Sequence, residues 1–299
     1  MVGRNVRDLA AARNVAIVCP SRAEVDATDS LAVLSFIKKV RPSVIVHAAG
    51  RVGGIEANIR EPVAFLNDNW EIGRNILLGA RHAGVTRLIN LASSCIYPRN
   101  SERPLTENDI LAGPLEPTNE GYAIAKSAIV RLAGYIGTEW PRFQYKTLVP
   151  CNLYGKYDSF DPKRSHLAAA VIRKLHLAKV SGQSTVEIWG DGTARREFLY
   201  AADLADAILA AIDRFESLPA IMNVGPGEDQ TINDYYRLAA QAIGYRGSFR
   251  HNLAMPTGMT RKLMDVSRMR SWGWKPRTSL ASGLAATYAF YLDTEAVPA

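Results

Sequence analysis

The chain has 299 residues, of which 47% are hydrophobic and 22% charged. That is enough apolar material for one large domain, or for a large domain with a smaller one attached, and the charged share is that of an ordinary globular protein. No apolar run approaches the roughly 18 residues that span a bilayer, and residues 1–18 lack the apolar core of a signal peptide, so a cytoplasmic protein with no membrane partner is expected. The net charge of +7 suits either nucleic acid or a ligand bearing several phosphates. Lys and Arg are scattered, with no basic run and no interleaving with aromatics, which argues for the phosphate-bearing ligand and against nucleic acid. The three cysteines, Cys19, Cys95 and Cys151, are far apart and match no zinc spacing, so no metal is expected.

Helices and strands alternate along the chain. Residues 2–13 read as a helix and Val15 to Cys19 as a short buried strand. Asp29 opens a helix over 29–40, followed by an apolar strand from Ser43 to His47. A long helix is predicted over 62–83, with Pro62 in its first turn and Gly84 just past its end. Residues 86–92 form a strand, 120–138 a helix and 143–150 a strand. This order predicts an α/β fold, a Rossmann-like doubly wound parallel sheet with crossover helices. Beyond residue 155 the rhythm loosens: a loop to 164, a helix at 165–179, a strand ending in Trp189, a helix at 201–217, a strand and turn over 221–227, a Thr231-capped helix at 231–243 and a last helix near 279–292. Residues 1–155, with 197–225 adding a strand and helix, are expected to form the Rossmann-like domain. Residues 156–196 and 226–299 are expected to form a smaller α/β substrate domain.

Tyr122 and Lys126 are four residues apart, on one face of a helix. An ammonium there is expected to lower the phenol toward working pH, so that it can exchange a proton with a substrate oxygen. Ser93 stands where the strand 86–92 ends, the edge at which open parallel sheets bind ligands. A helix-surface pair and an ordinary turn serine would explain each feature alone. The serine about thirty residues before the Tyr-x-x-x-Lys is more specific.

That order resembles the short-chain dehydrogenases/reductases. Longer segments narrow the resemblance: Ala48 to Asn58, Ser93-Ser-Cys-Ile-Tyr-Pro98, Leu115 to Lys126 (LEPTNEGYAIAK), Asn152-Leu-Tyr-Gly155 and Arg261-Lys-Leu-Met-Asp265. Together they are similar to the GDP-L-fucose synthase family of the extended branch, over essentially the whole chain. The resemblance implies NADP(H) as cofactor, a GDP-sugar as substrate, 3,5-epimerisation followed by 4-reduction, and a homodimer through helices 62–83 and 120–138. It implies that Ser93 and Tyr122 hold the C4 oxygen and that Lys126 holds the nicotinamide ribose. Cys95 would be the base at C3 and C5, and His166 the opposing acid. Gly3, Arg22, Ser94, Pro150, Asn152 and Leu153 would join Ser93, Tyr122, Lys126 and His166 at the cofactor, Arg22 near its 2′-phosphate. Lys174, Trp189 and Arg196 would contact the GDP-sugar. GDP-L-colitose synthases share these residues, so that reaction is the alternative.

Three departures stand out. Met1-Val2-Gly3 matches only the end of the family's Gly-x-x-Gly-x-x-Gly, and the first strand has no counterpart. This suggests a start upstream, or a truncated, non-catalytic paralogue acting as a binding partner. Thr257 stands where the family has an acidic substrate contact, and Cys151 where it has threonine.

Overall fold

The computed structural model describes residues 1–162, 165–255 and 259–294. In chain order the elements are α1 (Val2–Ala12), α2 (Ser30–Val40), β1 (Ile45–His47), α3 (Ile55–Arg60), α4 (Pro62–His82), β2 (Arg87–Leu91), α5 (Glu120–Glu139), β3 (Gln144–Pro150), β4 (Asn152–Tyr154), α6 (Leu167–Val180) and β5 (Thr185–Trp189). They continue as β6 (Arg195–Arg196), β7 (Phe198–Tyr200), α7 (Ala201–Asp213), β8 (Ile221–Val224), β9 (Gln230–Thr231), α8 (Ile232–Ile243), β10 (Ser248–Asn252), β11 (Arg261–Lys262), α9 (Ser267–Ser271) and α10 (Leu280–Thr294). Local chemistry sets several boundaries. Asp29 accepts hydrogen bonds from the Leu31 and Ala32 amides at the start of α2, and Thr231 and Asp234 form a reciprocal capping box on α8. Pro62 occupies the first turn of α4, where its missing N–H costs nothing.

The main sheet has the order β1-β2-β3-β8, and all its pairs are parallel. Successive parallel strands require crossover helices, and α4 and α5 supply them for β1 to β2 and β2 to β3. The two helices pack closely: a Cβ on Gly73 of α4 would lie 2.6 Å from Ile129 of α5. α1 and α7 share one apolar cluster with β2, β3 and β8, through Val6, Ala10, Leu204 and Ile208. A separate cluster joins α6, α8, α10 and β5. Smaller ladders complete this half: β4 with β7, β5 with β10, and β11-β6-β9.

One expectation is corrected. Val15 to Cys19 is irregular, not a strand. Its residues have strand propensity, but a strand is a paired state whose N–H and C=O groups need a ladder partner about 4.8 Å away. Among the described residues no strand pairs with this segment, and Val15, Ile17 and Val18 are left 39%, 40% and 63% exposed. The helix expected over 201–217 ends at Asp213 and gives way to a separate 3₁₀ turn, Phe215–Ser217. The six-residue α3 is an addition between the expected strand and the long helix.

Candidate active site

A cavity of about 1930 Å³ opens at the carboxyl ends of β1, β2 and β3. Single-ligand pockets reach roughly 1,000 Å³. The larger volume here also takes in the groove between residues 15–19 and β1. All the residues assigned from the sequence line this one cavity, Gly3 and Arg22 as well as Lys174, Trp189 and Arg196.

Its centre is the turn that follows β2. Ser93 has extended backbone and caps the 3₁₀ turn Ser94–Ile96, with its hydroxyl 3.5 Å from the Cys95 amide. Ser94 and Cys95 are buried. The turn is anchored from behind by Tyr97, whose buried hydroxyl donates to Asn223 Oδ1 on β8. The Asn223 amide nitrogen in turn donates to the carbonyls of Leu105 (3.0 Å) and Asp265 (2.9 Å). Strand β8, the turn and the segment after β11 are thereby fastened together.

Tyr122 and Lys126 face this turn from the first half of α5. Ser93 is the one neighbour that favours the Tyr122 phenolate, a smaller influence than burial. Lys126 is 6% exposed, donates to Leu91 O at 3.2 Å and has its Nζ 5.8 Å from the centre of the Tyr122 ring. The expectation that this ammonium lowers the phenol is corrected. Burial, reinforced by Cys95, raises Tyr122 well above the ordinary tyrosine value. The same burial pulls Lys126 down to about 8, against the attraction of Cys95. Tyr122 is therefore a protonated donor before any ligand arrives. Burial also raises the Cys95 thiol, opposed by Lys262, Ser93 and Lys126 in that order. The resting group is a thiol, and once deprotonated it is a stronger base than an exposed cysteine.

The cationic end comes from the second half of the chain. Lys174 on α6 is not a freely solvated lysine: its Nζ donates to Glu187 O, and burial lowers it. Arg196 and Lys262 are register partners in the parallel pair β6–β11. That pairing is clamped by Asp229, which takes Arg195 at 2.7 Å and Arg261 at 2.5 Å. Burial lowers both Arg196 and Lys262, with Glu116 opposing in each case. Trp189, at the end of β5, is 52% exposed. His166 is the residue that precedes the first turn of α6, and its side chain makes no capping hydrogen bond there. Thr257 lies outside the described residues. Cys151 is buried and raised well above the ordinary thiol, first by burial and then by Glu197, which fits a packing residue.

Sequence reasoning passed over Lys262 as a site residue, although it falls within the quoted Arg-Lys-Leu-Met-Asp segment. It also passed over His47, Glu116 and Asp158. His47 ends β1 at 2% exposure. Its Nδ1 has no hydrogen-bond partner among the described residues, and burial, then the charge of Lys126, pulls it down to about 3. Beside it, a Cβ on Gly50 would lie 2.7 Å from Asn69 Oδ1 and 3.6 Å from Lys126 Nζ, so only glycine lets the backbone pass. An unpartnered imidazole nitrogen, a buried ammonium and a close-approach glycine at the strand ends fit a dinucleotide there. Arg22 at the cavity's edge offers a charge for a further phosphate.

An open parallel sheet with Ser93, Tyr122 and Lys126 at its carboxyl edge defines an extended short-chain dehydrogenase/reductase. More narrowly, the chain belongs to the NAD dependent epimerase/dehydratase family, whose model matches residues 1–225. It is similar to a GDP-L-fucose synthase of Azorhizobium caulinodans, 47% identical over 98% of this chain and 93% of the relative. It is equally similar to a GDP-L-colitose synthase of Yersinia pseudotuberculosis, 46% identical over 98% and 95%. Among solved structures, a GDP-mannoheptose C4 reductase of Campylobacter jejuni with NADP bound superposes with a TM-score of 0.88 at 28% identity, covering 97% of this chain and 95% of that one.

Proposed function

We propose that this chain converts GDP-4-keto-6-deoxy-D-mannose to GDP-L-fucose by 3,5-epimerisation and NADPH-dependent 4-reduction. The observation that carries the reading is that Cys95 and His166 line the same cavity as Ser93, Tyr122 and Lys126, so proton exchange beside a ketone and reduction of that ketone can share one site. Ser93 and Tyr122 hold the C4 oxygen. Cys95, as thiolate, removes the proton from the carbon beside the ketone, and the charge passes to the oxygen held by the two hydroxyls. His166 returns a proton to the opposite face, which inverts the centre. In the reductive half, bound NADPH supplies the hydride. Tyr122 gives its proton to the oxygen, and Lys126 holds the ribose and compensates the phenolate that forms. Arg196 and Lys262, side by side on β6 and β11, are placed to grip a diphosphate, with Trp189 as an exposed face for the base. Gly3, Ser94, Pro150, Asn152 and Leu153 complete the cofactor's surroundings.

In this division residues 1–155 and 197–225 serve the cofactor, and residues 156–196 and 226–299 the sugar nucleotide. No helix among the described residues is long and apolar enough to cross a membrane, and the water-soluble substrate favours a cytoplasmic enzyme. The α4–α5 pair leaves Val63 and Tyr135 69% and 65% exposed, which favours a homodimer across these helices. A monomer mass by light scattering at micromolar concentration would count against it.

The similarity to a GDP-L-colitose synthase keeps the 3-deoxy ketosugar as a second substrate reading. The test is calorimetric titration of NADPH into the chain, followed by turnover with each ketosugar. Binding and faster consumption of the 3-hydroxy sugar support the reading. Preference for the 3-deoxy sugar shifts it to colitose chemistry, and absence of NADPH binding leaves a non-catalytic partner.

A further inference from the structure

In the loop that leads to His166 lies a carboxylate that the chemistry above does not use. Asp158 stands in the loop between β4 and α6. It does not line the cavity, whereas His166 does. Its Oδ1 accepts the Ser159 amide at 2.8 Å, and its Oδ2 is buried with no hydrogen-bond partner among the described residues. Burial raises the carboxyl, and His166 is the first of the charges that oppose this, ahead of the Met1 amino group.

The residues on either side of Asp158 are fixed. Tyr157 holds a left-handed backbone, φ 68°, which is unfavourable for a non-glycine residue. It is kept there by its hydroxyl on Asp8 at 2.6 Å and by Arg4 over its ring at 5.5 Å. Phe160 is 3% exposed and packs on Tyr291 with ring centres 4.8 Å apart. The Ser165 amide then bonds back to Asp161 O at 2.8 Å, and His166 follows. A carboxylate between two anchored aromatics, with one oxygen tied and the other bare, is a preorganised acceptor. Leaving a buried acceptor unpaired is costly, and an imidazole N–H would remove that cost.

We propose that Asp158 is the positioning residue of His166: its Oδ2 accepts a hydrogen bond from one imidazole nitrogen and so aims the other nitrogen into the cavity to deliver the proton that inverts the sugar carbon. The proton leaves the imidazolium and forms the new C–H bond. The neutral imidazole keeps its second N–H on Asp158, and no other reactant is needed. The proposal rests on the epimerase/reductase reading above.

The experiment compares two reactions in wild type and Asp158→Asn. The first is solvent-deuterium uptake at C3 and C5 of the 4-ketosugar with the oxidised cofactor bound, which needs Cys95 and His166. The second is oxidation of GDP-L-fucose by NADP, which needs Tyr122 and Lys126. The expected result is that deuterium uptake falls tenfold or more, short of the roughly 10²–10⁴-fold that a general acid contributes, while fucose oxidation and NADPH affinity are unchanged. Equal uptake in the two proteins, or an equal fall in both reactions, would overturn the positioning role. No uptake by wild type would instead overturn the reading on which it rests. A second measurement needs no folded variant at Asp158: in wild type a His166 imidazole N–H resonance, identified by its loss in His166→Gln, should be protected from solvent exchange. Its absence would also overturn the proposal.

Discussion

Replacing Glu197 with glutamine should flatten much of the pH dependence of stability in the weakly acidic range. Glu197 is 1% exposed. Its two oxygens accept the amides of Gly227 at 2.8 Å and Met264 at 3.0 Å, with no cation bonded to either among the described residues. Burial outweighs those donors and raises the carboxyl from 4.5 to about 7. The sign follows from which state releases its proton first. Above 4.5 the unfolded chain ionises while the folded chain holds its proton until about 7. Stability is therefore fully present below the unfolded value and is lost as pH rises to the folded one. At about 1.4 kcal/mol per pH unit, a gap of this size is worth about 3 kcal/mol, a large share of the 5–15 kcal/mol of an ordinary domain. Urea unfolding followed by tryptophan fluorescence at about pH 5 and about pH 8 gives the test, read as wild type minus Glu197→Gln. The variant is less stable at the lower pH, because its amide nitrogen faces one of the two backbone N–H groups, and it should lose about 3 kcal/mol less than wild type between the two conditions. An equal loss in both proteins would mean that Glu197 is already ionised in the fold at the lower pH, and the reasoning would fail.

Asn223→Leu should remove the hub behind the Ser93–Tyr97 turn. It strands the Tyr97 hydroxyl and the carbonyls of Leu105 and Asp265, for a loss of about 3 kcal/mol or more in the same unfolding assay; less than about 1 kcal/mol would show that water replaces the bonds. Lys126→Met should weaken NADPH in calorimetry and slow turnover. In wild type, NADPH affinity should fall as pH rises through about 8, where this lysine loses its charge. Lys262→Met should raise the KM for the GDP-sugar and, because Lys262 is the largest influence opposing the upward shift of Cys95, slow deuterium uptake more than hydride transfer. A change in KM alone would confine Lys262 to the diphosphate.

The sheet and its crossover helices were legible because caps and periodicity are local. Asp29, Pro62 and Thr231 mark helix starts without reference to the rest of the chain. Val15 to Cys19 was misread because its side chains carry strand propensity, while a strand also needs a neighbour that propensity does not report. Ser93, Tyr122 and Lys126 were readable because strand end and helix face follow from spacing. Lys262 was not assigned, since a two-residue strand has no period and its pairing with Arg196 spans sixty-six positions. Asp158 and His47 were invisible for another reason: their significance lies in an unpaired buried atom, which only packing reveals. The charge state of Tyr122 was misjudged. Sequence spacing shows the neighbouring ammonium, but burial, the larger influence, depends on the assembled site.

The most direct test is to incubate the chain with NADPH and GDP-4-keto-6-deoxy-D-mannose in D₂O and identify the product by NMR. The proposed chemistry predicts GDP-L-fucose with deuterium at C3 and C5 from wild type, and no deuterium at either carbon of any product from Cys95→Ser. A reduced product that keeps the manno configuration and carries no deuterium would contradict it, leaving a simple 4-reductase.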